Sequence, residues 1–195
     1  MCSMDYYFLM FDQFETLDLF GPVEIFARTL GASLHYVSMN GGMVTSAQGT
    51  TIVTSKAEAL PPGSVLLVPG GQGTRRLVTD RLFLAILREL CGSAEYILSV
   101  CTGSALLAAA GILQGRKATS NKIAFDWVTA AGDAEWIKKA RWVRDGNIYT
   151  SSGVSAGIDM ALGFVADHYG MEAAEANARK TEYLWNRNAG DDPFA

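Results

Sequence analysis

The feature that most constrains this chain is a series of short, unbroken apolar runs, each closed by a polar or glycine-rich turn and followed by a helix-spaced segment. Residues 6–11 (YYFLMF), 65–68 (VLLV) and 96–100 (YILSV) are such runs. A run this short with no polar alternation is buried on both faces, the pattern of strands in a parallel sheet. Residues 33–39 (SLHYVSM) add an alternating strand. The Thr- and Val-rich residues 43–55, around Gly49, predict a small hairpin or edge pair. Residues 140–150 predict a second hairpin turning on Asp145-Gly146.

Between the strands the apolar spacing turns helical. Asp18 reads as the N-cap of a helix carrying Leu19, Val23, Phe26 and Ala27, with Pro22 near its start. Leu82, Ile86, Leu87 and Leu90 share one face of a helix over 81–90. A short helix over 105–110 stops at Gly111, a short strand covers 118–120, and 123–131 is helical. Helices over 155–169 and 172–186 complete the chain. Strands alternating with helices predict an α/β fold, a mostly parallel sheet with helices on both faces. With no linker, repeat or low-complexity stretch, residues 1–195 read as a single domain.

Composition narrows the function. Lys and Arg number 16 against 20 Asp and Glu, so there is no basic excess and a nucleic-acid partner is not expected. Apolar residues make up 49%, enough for a core and too many for a disordered chain. The start lacks a signal peptide's charged and apolar regions, and no apolar run is long enough to cross a membrane. Cys2, Cys91 and Cys101 form no disulfide framework, which points to a reducing, cytoplasmic setting. His35 and His168 lie far apart and near no cysteine cluster, so neither a metal nor another cofactor is expected.

The stretch that carries chemistry is YILSVCTGS, residues 96–104. A buried strand ends at Cys101 and a helix begins just after it, the arrangement of a nucleophile elbow. In an open α/β sheet ligands sit outside the carboxyl ends of the strands, where this turn places Cys101. The helix N-terminus beside it favours thiolate over thiol, and the Thr102 N–H is placed to bind a developing anion. Pro69-Gly70-Gly71-Gln72-Gly73 follows another strand, and its glycines let backbone N–H groups approach a ligand. Cys91, beside Gly92 at a helix end, reads as structural, and Cys2 as incidental. His35 and His168 read as structural too, so no Cys–His dyad is indicated. Asp18, on the same sheet edge as Cys101, is the better acid–base candidate. Phe20, Phe125 and Trp185 are candidates to line a pocket, although Phe125 and Trp127 also suit a core.

Four blocks occur in order: LDLFGPVEIF (17–26), LLVPGGQG (66–73), SVCTGSALLAAAGILQGRKATS (99–120) and SSGVSAGIDMAL (151–162). Together they resemble the ThiJ/PfpI superfamily of class I glutamine-amidotransferase-like proteins, over nearly the whole chain. The Leu-Asp-Leu-x-Gly-Pro and Cys-Thr-Gly-Ser combination is most similar to isonitrile hydratases. It is also similar to the sensor domain of some AraC-type regulators, which carry a DNA-binding domain that this chain is too short to include. The resemblance implies a flavodoxin-like three-layer α/β/α sandwich and, usually, a homodimer acting on a small molecule. It implies that Cys101 is the nucleophile, that Asp18 hydrogen-bonds its thiol and that Thr102 binds substrate or water. It also implies an oxyanion pocket from the Gly71 and Thr102 N–H groups, with Gly70 beside them.

Many relatives carry a histidine where Ala118-Thr119-Ser120 is here followed by Asn121. That weighs against protease, amidase and glyoxalase chemistry and leaves a Cys–Asp hydratase intact. Asn121 is free to orient a ligand or cap the next helix. The expected reaction is attack by Cys101 on the terminal carbon of an isonitrile, with Asp18 protonating the nitrogen, to give an N-substituted formamide. The alternatives are a non-enzymatic cysteine redox sensor or ligand-binding protein, and then a glyoxalase or deglycase activity.

Overall fold

The computed structural model describes residues 4–195, so Cys2 lies outside the described residues. Five strands and one helix come first: β1 (Asp5–Met10), α1 (Thr16–Phe26), β2 (Ser33–Ser38), β3 (Gly42–Thr45), β4 (Thr51–Lys56) and β5 (Val65–Val68). Then come α2 (Thr74–Leu77), α3 (Arg81–Ser93), β6 (Tyr96–Ser99), α4 (Gly103–Ala109), β7 (Lys117–Ala118), α5 (Phe125–Thr129) and β8 (Glu135–Trp136). The chain closes with β9 (Trp142–Asp145), β10 (Ile148–Ser151), α6 (Ala156–Tyr169) and α7 (Met171–Lys180).

Eight strands form one sheet in the order β3-β4-β2-β1-β5-β6-β10-β9. All neighbours pair in parallel except β3 with β4 and β9 with β10, which close the two edges. The helices fall into two packed groups: α1 against α6 and α6 against α7, and α2, α3 and α5 each against α4. The alternation predicts this mostly parallel sheet with helices on both faces, and the resemblance implies its flavodoxin-like three-layer form. β5 is buried along its whole length, as a central parallel strand must be. Phe164 of α6 anchors one side of the core, with Tyr6, Phe26, Tyr96 and Tyr149 around it. Full burial of such a ring contributes about 1.5–3 kcal/mol.

The boundaries differ from the sequence reading in instructive places. Asp18 is not an N-cap: α1 starts at Thr16 with Glu15 before it, and Asp18 faces inward, fully buried. The hairpin over 140–150 is present, but Asp145 pairs with Ile148, so its turn is Gly146-Asn147. The strand at 118–120 shortens to β7, which pairs with β8 outside the main sheet. The last helix ends at Lys180 rather than 186. Glu182 turns left-handed there (φ 51°), and long-range bonds take over. Trp185 Nε1 donates to the Asp159 carbonyl at 3.2 Å, and the Asn186 N–H to Asp159 Oδ1 at 2.9 Å.

Asp80 is the N-cap of α3, its Oδ1 accepting the Leu82 and Phe83 N–H groups at 3.0 Å each. Asp80→Ala is expected to cost about 1 kcal/mol, read as a lower urea midpoint at unchanged slope. An unchanged midpoint would show that the cap contributes nothing here.

Candidate active site

Four adjacent parallel strands deliver loops to one edge of the sheet. The loop after β1 leads to Asp18, that after β5 carries Gly70 and Gly71, that after β6 carries Cys101 and Thr102, and that after β10 carries residues 152–154. The site lies in the crevice at the carboxyl ends of the strands, as the fold requires of a ligand site.

Cys101 adopts the left-handed conformation (φ 57°). For a residue other than glycine this costs about 1–3 kcal/mol and persists only where the surroundings impose it. Here they do. The Cys101 N–H donates to the Ser152 carbonyl at 3.1 Å, and the Ser120 and Ser104 hydroxyls donate to the Cys101 carbonyl at 2.8 and 3.1 Å. A Cβ at Gly103 would meet the Val68 carbonyl oxygen at 2.3 Å, so only glycine lets α4 start this close to β5. Val154 is a second strained residue at the site (φ 47°), unusual for a β-branched side chain. Its N–H faces both the Asp18 carboxyl and the Cys101 thiol.

Asp18 Oδ2 accepts the Gly70 N–H at 2.9 Å, while Oδ1 is buried with no hydrogen bond of ordinary geometry. Burial pushes the carboxyl up to about 7, with Glu15's charge adding and the Gly70 N–H opposing. The Cys101 thiol is pushed up to about 12, by burial first and by the charge of Asp18 second. The Thr102 and Val154 N–H groups and the Asn121 amide oppose that rise without overcoming it. The expected helix-stabilised thiolate is therefore corrected. α4 has only seven residues, and dehydration plus a neighbouring carboxylate outweigh its end. Between about pH 7 and 12 the pair holds one proton, on sulfur, and a thiolate arises when Asp18 takes it.

The glycine loop does different work from that expected of it. Gly70 is no free oxyanion donor, because Asp18 takes its N–H. The Gly71 N–H donates to Thr102 Oγ1 at 3.1 Å, and Thr74 Oγ1 donates to the Gly71 carbonyl at 2.7 Å. The Thr102 hydroxyl is thereby tied into the loop. The donors that face the sulfur are the backbone N–H groups of Thr102 and Val154 and the side chain of Asn121. Asn121 also caps the turn into α5, its Oδ1 accepting the Ala124 N–H at 2.9 Å. A Cβ at residue 153 would meet Asn121 Nδ2 at 2.4 Å, so Gly153 makes room for that amide.

A cleft of about 210 Å³ opens on Cys101, with Glu15, Arg75, Asn121, Ile123 and Val154 among its walls. Hollows of about 480 and 490 Å³ elsewhere do not touch the cysteine; the second includes Trp185. Phe20 lines a separate groove with Leu17 and Ile158. Phe125 is buried against Trp136, and Trp127 lies under the Arg75 guanidinium. None of the three aromatics considered for the pocket therefore reaches the cleft. His35 stacks on Tyr7 and pairs with Asp5, and His168 packs among Tyr96, Tyr149 and Phe164. Neither histidine lines the cleft. Cys91 is buried in α3, and dehydration pushes its thiol up to about 12. Glu15, Arg75 and Val154 were not singled out from sequence. Val154 had only the small-residue run SSGVSAG to mark it.

A model of the DJ-1/PfpI family matches residues 4–167. This chain belongs to that family. The DJ-1/PfpI protein is 38% identical to an isonitrile hydratase of Pseudomonas putida over 177 residues, 90% of this chain and 77% of the relative. It is 32% identical to the HTH-type transcriptional regulator CdhR of Pseudomonas aeruginosa over 178 residues, 88% of this chain and 53% of the regulator. Its backbone superposes on a THiJ/PfpI family protein from Pseudomonas syringae with a TM-score of 0.86 at 34% identity, covering 95% of this chain and 77% of that one. Among the described residues no helix is long and apolar enough to cross a membrane.

Proposed function

We propose that this DJ-1/PfpI protein hydrates small isonitriles to N-substituted formamides, using Cys101 as nucleophile and Asp18 as the group that moves its protons. The observation that carries this reading is a strained, buried cysteine coupled to a buried carboxyl, with no histidine in the cleft. Likeness to an isonitrile hydratase supports it. An isonitrile suits such a pair because its terminal carbon accepts both a nucleophile and a proton.

The Cys101 sulfur bonds to that carbon while the thiol proton passes to the Asp18 carboxylate. Asp18 returns the proton to the same carbon, forming a thioimidate. The first proton belongs on carbon rather than nitrogen, because the formamide carries a C–H that the isonitrile lacks. Water then adds across the C=N bond, its oxygen to carbon and a proton through Asp18 to nitrogen. The tetrahedral intermediate collapses, the C–S bond breaks, and the hydroxyl proton returns through Asp18 to sulfur. The sum is isonitrile plus water to formamide, with no change of oxidation state. The Thr102 and Val154 N–H groups and the Asn121 amide favour the sulfur anion as it forms, and electrostatic help of this kind is worth most in a dry site.

A second reading is a non-enzymatic sensor, for which likeness to the regulator CdhR speaks; the chemistry we assign to that reading is oxidation of Cys101 by peroxide. One experiment separates the two. A panel of small isonitriles is incubated with the protein, formamide is followed by NMR, and intact mass is read during turnover. The hydratase reading expects formamide above the buffer rate and a transient adduct on Cys101 equal in mass to the isonitrile. Folded protein with a free thiol and no formamide would discard it for that panel. Stable, stoichiometric oxidation of Cys101 by peroxide would then favour the sensor.

A further inference from the structure

Arg75 lies on the wall of the Cys101 cleft. Its guanidinium carbon sits 4.0 Å from the centroid of the Trp127 ring, and Nη1 donates to Thr74 Oγ1 at 3.0 Å. Thr74 in turn bonds to Gly71 and Thr102, the residues flanking the thiol, so Arg75 is built into the same loop. Among the described residues no carboxylate lies within ion-pair distance of Arg75. Arg75 is exposed to the cleft's solvent, whereas among the described residues the buried side chains of Arg141 and Lys122 both face Asp192, and Arg141 also pairs with Asp159. Glu15 shares the cleft, but its Oε1 accepts from Gln48 Nε2 at 2.9 Å, toward a different loop.

Stacking on an indole fixes the guanidinium plane, so little side-chain freedom is left to lose when a ligand binds. A planar guanidinium with unused N–H groups matches a carboxylate, which it holds through two parallel bonds. We propose that Arg75 is the subsite for an anionic group on the substrate, so that the preferred substrates of this cleft are small electrophiles bearing a carboxylate. Combined with the hydratase reading, on which the isonitrile part of this inference rests, the substrate class is isocyano carboxylates and the products are N-formyl amino acids or their homologues. The chain carries a formal net charge of −4, so attraction of an anion to the thiol has to be local.

The test uses two alkylating agents of similar size, iodoacetate and iodoacetamide, which need only the thiol and no hydratase activity. Labelling of Cys101 is followed by peptide mass spectrometry in the parent, Arg75→Met and Arg75→Lys. The expected result is an iodoacetate-to-iodoacetamide rate ratio at Cys101 at least tenfold above that of a free thiol, falling with added salt. Arg75→Met lowers the ratio to the free-thiol value, and Arg75→Lys retains part of it. Failure of iodoacetate to label Cys101, or a ratio that Arg75→Met leaves in place, overturns the subsite. A second arm compares kcat/KM for an isocyano carboxylate and its methyl ester. The acid-over-ester preference is lost in Arg75→Met. An Arg75-dependent alkylation ratio without isonitrile turnover keeps the anion subsite and rejects the hydratase reading.

Discussion

Asp18→Asn is expected to lower isonitrile kcat/KM by about 10²–10⁴-fold, the usual contribution of a positioned acid–base group. Asn can still accept the Gly70 N–H through its carbonyl oxygen, so the local fold has a replacement partner. It cannot take the proton from a thiol whose affinity for it is raised to about 12. In the parent the reactive form holds one proton on the pair, so kcat/KM rises with pH through about 7 and then levels. Asp18→Asn removes that rise. Cys101→Ala removes the nucleophile itself and takes the rate to that of buffer. An Asp18→Asn enzyme with parental kcat/KM and an unchanged rise near pH 7 would exclude Asp18 as the proton carrier.

The same substitution is expected to stabilise the fold. An unfolded Asp ionises near its ordinary value, about 4, whereas the folded carboxyl holds its proton to about 7. Between those values the native state binds more protons than the unfolded state, so stability falls as pH rises and levels above 7. Asn cannot ionise, so Asp18→Asn gains on the parent on the order of 4 kcal/mol at pH 8 and far less at pH 4. Urea unfolding at the two pH values reads this directly. Such an exchange of stability for activity is expected where a buried carboxyl is kept for its chemistry. Equal stabilities at pH 8 would mean that Asp18 carries no cost of burial.

The sequence shows features set by short-range pattern and hides those set by long-range contact. VLLV and YILSV announce buried strands because they are short and show no alternation with exposed polar residues, and they mark β5 and β6 to within a residue. The elbow is legible because a strand runs directly into Cys-Thr-Gly-Ser. The sequence puts Asp18 on the correct edge of the sheet as the acid–base candidate, but it also reads Asp18 as the helix cap, since Asp near a helix start usually caps. Its inward turn depends on the Gly70 N–H, 52 residues away. The last helix overshoots because residues 181–186 keep helix-compatible composition. Only Asp159, on α6, shows why the chain leaves the helix to bond elsewhere. The charge state of Cys101 is hidden from the sequence for the same reason. A helix end is visible in sequence, whereas the depth of burial and the carboxyl opposite are not.

Gly71→Ala is expected to cost several times what an alanine costs at Gly49, although both glycines have positive φ. Gly49 (φ 86°) has nothing within 4 Å of an added Cβ, so alanine there meets only the backbone penalty, about 1–2 kcal/mol. Gly71 (φ 125°) forms an antiparallel bridge with Phe14, and its Cβ would lie 2.4 Å from both the Gln13 carbonyl oxygen and the Glu15 nitrogen. These are backbone atoms, so no rotamer change relieves the overlap. The loop after β1 or the loop after β5 has to move. That strain is expected to cost at least about 4 kcal/mol, in the range reserved for clashes at special backbone positions. Movement of either loop also separates Asp18 from the Gly70 N–H, because the Glu15 N–H donates to the Gly70 carbonyl at 2.9 Å and Asp18 follows three residues later. Turnover and stability are therefore lost together in Gly71→Ala, whereas Gly49→Ala keeps turnover at a lower urea midpoint. Equal midpoints for the two variants would mean that the Phe14–Gly71 bridge yields freely and does not fix Asp18 against the elbow.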